Sequence, residues 1–137
     1  MTFEHEHTVT TSATPDAVWA LWSDVGSWHR WDSTIERVAL EGHFAEGAAG
    51  TMCLSDGQEL PFALEIVEPR RRFLDRLHLD GLVIRTDHEV SPADDGAEVT
   101  VRVAVEGEAA DKVGPLVVED TTTSLSALVA LAEAPRE

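Results

Sequence analysis

From about residue 34 to residue 106, apolar and polar side chains alternate with a period of two, most cleanly at Val99, Val101, Val103 and Val105. Turn residues interrupt the alternation, which predicts strands over Thr34 to Glu41, Thr51 to Ser55, Gln58 to Glu68, Phe73 to Leu79, Leu82 to Val90 and Ala97 to Val105. Asp56-Gly57 and Asp80-Gly81 are two-residue hairpin signals, Ser91 to Gly96 is a looser turn, and Gly42 to Gly50 is a Gly/Ala-rich loop or lid. Ahead of these, Phe3 to Thr11 is rich in Thr and Val and predicts a first strand. Thr14-Pro15-Asp16 then has the form of a helix cap with proline at the first helical position, followed by Val18, Trp19, Leu21 and Trp22 at helical spacing. Gly26 ends that helix, and a second short one from about Ser27 to Asp32 carries Trp28 and Trp31. After Gly107 the period lengthens. Gly114-Pro115 suits the start of a long helix, with Leu116, Val117, Leu125, Leu128, Val129 and Leu131 on its stripe and an end before Pro135.

The Asp80-Gly81 turn fixes which side chains share a face. A two-residue turn sets Leu79 opposite Leu82, Leu77 opposite Ile84, Asp75 opposite Thr86 and Phe73 opposite His88. The other face then carries Arg72, Arg76, Arg85, Asp87 and Glu89, and a slip of one residue would bury all of that charge. The valines of the last strand join the apolar face, with His88 expected near Val99 and Thr86 near Val101. The inner face is therefore an apolar bowl with three polar intruders, Asp75, Thr86 and His88. Left unpaired, each would cost about 1 to 3 kcal/mol. The long helix has its own polar break at Asp120, Thr121 and Ser124, a poor helix interior by propensity. Those residues either line a cavity or face solvent.

At 137 residues the chain fits one domain spanning 1–137, and a 43% hydrophobic content is ordinary for a packed core. Ten basic against 26 acidic residues give a net charge of −16, which disfavours nucleic acid and anionic membranes as partners. No apolar run approaches the roughly 20 residues of a membrane span, and the N-terminal residues lack the basic-then-apolar form of a signal peptide, so the expected location is cytoplasmic. With Cys53 as its one cysteine, the chain has no internal disulfide, and Cys53 is expected as a small buried or half-buried residue. Phe3, His5, His7 and Val9 share a parity, and the two histidines with His88 would be a three-imidazole metal set. Glu4 and Glu6 alternate with them, so neither face of that strand is clearly apolar, and no metal site is assigned. Phosphate-loop, nucleophile-elbow and zinc-helix motifs are absent, and no cofactor is expected.

The order of strand, two short helices, meandering strands and one long helix resembles the helix-grip fold of the START-like superfamily, the polyketide cyclase/dehydrase and lipid-transport proteins. The residues that carry the resemblance are Ala13-Thr14-Pro15-Asp16-Ala17-Val18-Trp19 with Asp24, Trp28-His29-Arg30-Trp31-Asp32, Ile66-Val67-Glu68-Pro69-Arg70-Arg71-Arg72-Phe73 and His88-Glu89-Val90. It implies an α+β fold with a curved antiparallel sheet of about seven strands wrapped on the C-terminal helix. The leading functional expectation is binding or carrying of a small, largely apolar organic molecule by a monomer or homodimer. Its pocket would be walled by Phe62, Leu64, Phe73, Leu77 and Val101, with Asp75, Thr86, His88, Asp120, Thr121 and Ser124 as the polar positions. The alternative is a cyclase- or dehydrase-like enzyme in which His88 shuttles a proton and Asp75 orients it. The tryptophans read first as anchors of the short helices, with Trp22 or Trp28 as candidates for a pocket rim.

Overall fold

A computed structural model describes residues 2–134. Seven strands, β1 (Thr2–Thr11), β2 (Ile35–Leu40), β3 (Ala49–Leu54), β4 (Glu59–Glu68), β5 (Arg72–Leu79), β6 (Leu82–Ala93) and β7 (Gly96–Glu106), form one antiparallel sheet in the order β1-β7-β6-β5-β4-β3-β2. Two short helices, α1 (Pro15–Trp22) and α2 (Trp28–Trp31), separate β1 from β2, and the long α3 (Ala110–Glu133) follows β7. Thr14 Oγ1 accepts from the Ala17 amide at 3.1 Å and so satisfies one of the free donors at the start of α1. Among the described residues no helix is long and apolar enough to cross a membrane.

The β5–β6 register is the one expected: Phe73 opposite His88, Asp75 opposite Thr86, Leu77 opposite Ile84 and Leu79 opposite Leu82. Asp80 and Gly81 both take positive φ, 40° and 82°, the backbone of the hairpin turn whose twist matches its strands. Two other turns differ from expectation. At Asp56-Gly57 the Leu54 amide donates to the Gln58 carbonyl, and the Gln58 amide donates to Asp56 Oδ1. The loop therefore has three residues, and Met52, not Cys53, pairs with Leu60. Between β6 and β7 the strands run on until Ala93 meets Gly96, so only two residues turn. His88 accordingly pairs with Val101 and Thr86 with Val103, two positions from the expected partners. A shift of two preserves parity, so the inner face is unchanged.

The outer face carries a ladder of charge. Arg72 donates to Asp87 at 2.9 Å, Arg76 and Arg85 flank Glu65, and Arg102 reaches Glu89 at 2.9 Å. A bulge between Leu64 and Ile66 keeps Glu65 outward while Leu64 and Val67 both pair with inner-face residues, Asp75 and Phe73. Such an extra residue also bends the strand and helps the sheet to curve.

Gly114-Pro115 does not begin the long helix, which starts at Ala110. Gly114 lies inside α3, where any Cβ would overlap the ring of Phe3 on β1. The glycine therefore serves a close approach of helix to sheet, not a cap. Pro115 sits in the second turn, where its missing N–H removes one backbone bond to Asp111. The helix ends at Glu133, and Pro135 lies outside the described residues.

Candidate ligand cavity

The position of α3 creates the site. The helix packs on β1 and β7 at one side of the sheet and on α1 and α2 above it. The strands in the middle of the sheet are left with apolar side chains facing open space. The result is a cavity of about 750 Å³ between α3, α2 and strands β2 to β6. Leu60, Leu77, Leu79 and Ile84 rise from the sheet, Val113 and Val117 descend from α3, and Trp28 and Trp31 close one end. Leu116, 65% exposed and the one large apolar side chain in the open among the described residues, stands at the mouth.

Seven of the positions named from sequence meet on this wall: Asp75, Leu77, Thr86, His88, Asp120, Thr121 and Ser124. Phe62, Leu64, Phe73 and Val101 do not. They are buried in the core beside the cavity, where the tryptophans of α1 and α2 pack on Phe62 and Phe73. Trp28 lies over Phe73 at 5.9 Å between ring centroids and beside Phe62 at the same distance, and Trp22 meets Phe73 edge-on at 5.6 Å. Trp22 is thus an anchor, whereas Trp28 is both anchor and wall. Asp32, Met52 and Leu60 are wall residues that sequence reasoning did not assign to the site. Leu60 was within reach, since it shares parity with Phe62 and Leu64 on one strand. Asp32 was not, because its position depends on where α2 docks.

His88 stacks face to face on Phe73, with centroids 4.0 Å apart and planes 5° apart. The acceptor nearest to its Nδ1 is the Phe73 carbonyl at 3.4 Å, while Asp75 Oδ2 is 3.9 Å away. Burial is the main force on this imidazole and pushes its pKa down to about 4, so it is neutral near pH 7. The His88–Asp75 approach is therefore a contact and not an ion pair, and the carbonyl, not Asp75, is the group placed to select the tautomer. With Nδ1–H toward Phe73, Nε2 is left as an acceptor.

Asp75 is 7% exposed, and none of its neighbours among the described residues donates a hydrogen bond to its carboxyl. Burial, followed by the charges of Asp32 and Glu65, raises its pKa to about 7. Asp120 is raised to about 7 as well, by burial first and then by the neighbouring Asp32 carboxylate. Asp32 also receives the amide and hydroxyl of Thr34 at 3.0 and 2.7 Å. The hydroxyls of Thr121 and Ser124 donate to their own helix, to the carbonyls of Val118 and Thr121, and so present only lone pairs elsewhere.

Among the described residues no three His, Cys, Asp or Glu side chains come close enough to hold a metal ion. His5 is exposed and His7 half-buried, so the first-strand histidines do not converge with His88. Cys53 is a buried free thiol.

No curated protein matches this chain in sequence. Solved structures show the same fold at low identity. The di-domain ARO/CYC StfQ from the steffimycin biosynthetic pathway superposes with a TM-score of 0.82 at 12% identity, covering 97% of this chain and 51% of that one. This chain therefore spans about half of that di-domain protein. Truncated norcoclaurine synthase from Thalictrum flavum gives 0.78 at 16% identity, covering 99% of this chain and 96% of that one. Ara h 8.0201 gives 0.78 at 13% identity, covering 96% and 98%. The family model for polyketide cyclase / dehydrase and lipid transport matches residues 2–133, nearly the whole chain, and the protein belongs to that family.

Proposed function

We propose that this protein binds or carries a small, largely apolar organic molecule in the cavity between the sheet and α3. The observation that supports this most is the cavity itself. It has about 750 Å³ of space walled by Leu, Ile, Val and Trp side chains with a few polar groups among them, the usual make-up of a small-molecule site. The family's description, which names lipid transport beside cyclisation and dehydration, is consistent with it.

A cyclase- or dehydrase-like enzyme is the second reading, and one observation favours it. Asp75, with a pKa near 7 on the cavity wall, can give or take a proton at neutral pH. In that reading Asp75 is the acid–base group. His88, held neutral down to about pH 4, is an acceptor that orients substrate and no longer the proton shuttle expected from sequence.

Filling the cavity tests the binding function. Leu77 is half-buried on the wall, and Leu77→Trp places an indole in the space without touching the outer-face charges. Wild-type protein is expected to bind the neutral fluorophore N-phenyl-1-naphthylamine, and the variant to bind it at least about tenfold more weakly with an unchanged circular dichroism spectrum. Equal affinity in a folded variant would place the probe elsewhere and remove the basis for the proposal.

A further inference from the structure

The cavity's polar groups are unbalanced in charge and in hydrogen-bonding sense. Its titratable wall residues are Asp32 from the end of α2, Asp56 from the β3–β4 loop, Asp75 from β5, His88 from β6 and Asp120 from α3. No Lys or Arg among the described residues lines it. Arg76 and Arg85, on the same strands as Asp75 and His88, lie on the outer face of the sheet and are engaged with Glu65. The hydroxyl protons of Thr121 and Ser124 are spent on helix carbonyls, and His88 offers Nε2. Apart from the Trp31 indole N–H, which has no partner among the described residues, and the Thr86 hydroxyl, what remains toward the interior is acceptor. Asp75 is the sharpest case: more than nine-tenths buried, on the cavity wall, with no donor to its carboxyl among the described residues.

Carboxylates in an apolar pocket without a cation are costly unless the missing partner arrives with the ligand. A metal ion does not meet the geometry, since the groups are too dispersed to coordinate one together. An organic cation does meet it: an ammonium offers up to three N–H donors to several acceptors at once, while an attached apolar body covers the Leu, Ile and Trp walls. We propose that the preferred ligand is a protonated amine with an aromatic or aliphatic body, its ammonium held by Asp75 and Asp120 with Asp32 behind them. This rests on the reading of the cavity as a ligand site and names the ligand class.

Binding a cation stabilises the ionised form of both carboxyls, which near pH 7 are each partly protonated. Association therefore releases protons at neutral pH and strengthens as pH rises through 7. His88 and Asp56 do not alter this sign, because His88 is already neutral there and Asp56 has its pKa lowered by the Gln58 amide and is ionised throughout.

Three probes of one shape test the inference by titration calorimetry: 2-(2-naphthyl)ethylamine, 2-(2-naphthyl)ethanol and 3-(2-naphthyl)propanoate. At about pH 8 the amine is expected to bind at least about tenfold more tightly than the alcohol, and the propanoate most weakly. The amine's advantage should shrink toward about pH 6, and titrations in buffers of different ionisation enthalpy should show proton release. Asp75→Asn and Asp120→Asn, measured separately so that either folded variant suffices, should each lower amine affinity about tenfold and leave the alcohol's within about twofold. Alcohol binding equal to or tighter than the amine's would overturn the inference and leave the binding function standing. If neither these probes nor N-phenyl-1-naphthylamine binds, the binding function fails and takes the inference with it.

Discussion

Asp75 shows how one residue couples stability to the cavity. Its folded pKa of about 7 lies above the ordinary 3.8, so the folded protein keeps a proton that the unfolded chain has lost. Between those values stability falls as pH rises, and above about 7 the full cost of the buried charge is present. His88 acts in the opposite direction. Its pKa of about 4 lies below the ordinary 6.5, so its contribution is lost as pH falls from 6.5 to 4. Replacing Asp75 with Asn removes the first effect alone. Asp75→Asn should melt about 3 °C or more above the wild type near pH 8, with the difference vanishing near pH 4, as read by thermal denaturation across pH. An equal melting temperature at both ends would show that the carboxyl is well solvated. At this scale the sequence was informative because the Asp80-Gly81 turn sets parity, and parity puts Asp75, Thr86 and His88 on the inner face. It could not say that Phe73 would stack on His88 and take its Nδ1, since that depends on rotamers.

The elements themselves were legible wherever a local signal was unambiguous, and shifted where one signal had two meanings. Asp-Gly closes a two-residue turn at Asp80-Gly81 and a three-residue loop at Asp56-Gly57, where the Asp56 side chain captures the Gln58 amide. Gly114-Pro115 has the composition of a helix start, yet the glycine marks the contact of α3 with Phe3. Its meaning is tertiary, and no window of local sequence contains Phe3 as well. In an ordinary helix interior Gly→Ala stabilises by about 1 kcal/mol. Here Gly114→Ala should instead destabilise by about 1 kcal/mol or more, because the new methyl group meets the ring. In a Phe3→Ala background the same substitution should become stabilising. Chemical denaturation of the four proteins in this cycle checks the change of sign, and a Gly114→Ala that stabilises both backgrounds would remove the close approach as the reason for the glycine.

For the molecule as a whole, curvature and the seat of the helix decide whether the inner face becomes core or cavity. The bulge at Glu65 bends β4, the tryptophans fill one half of the sheet, and α3 rests on β1, β7 and the short helices, which leaves the other half open. Sequence patterning gave the inner face but not this division. That is why Phe62, Leu64, Phe73 and Val101, inward-facing like Leu77, are core rather than wall. It is also why Asp32, brought in by α2, completes a carboxyl group that no single strand or helix displays.

The most direct measurement of the central claim is an NMR titration of the wild-type protein with N-phenyl-1-naphthylamine, following the four indole N–H signals and the backbone amides. Trp28 and Trp31 line the cavity, whereas Trp19 does not, so the tryptophans report on location by themselves. Saturable shifts concentrated at Trp28, Trp31, Leu77, Ile84 and Asp120, with Trp19 and the outer-face residues Arg76 and Arg85 nearly still, are the expected result. Shifts spread over the outer face, or a spectrum unchanged at saturating probe, would contradict a ligand site between the sheet and α3.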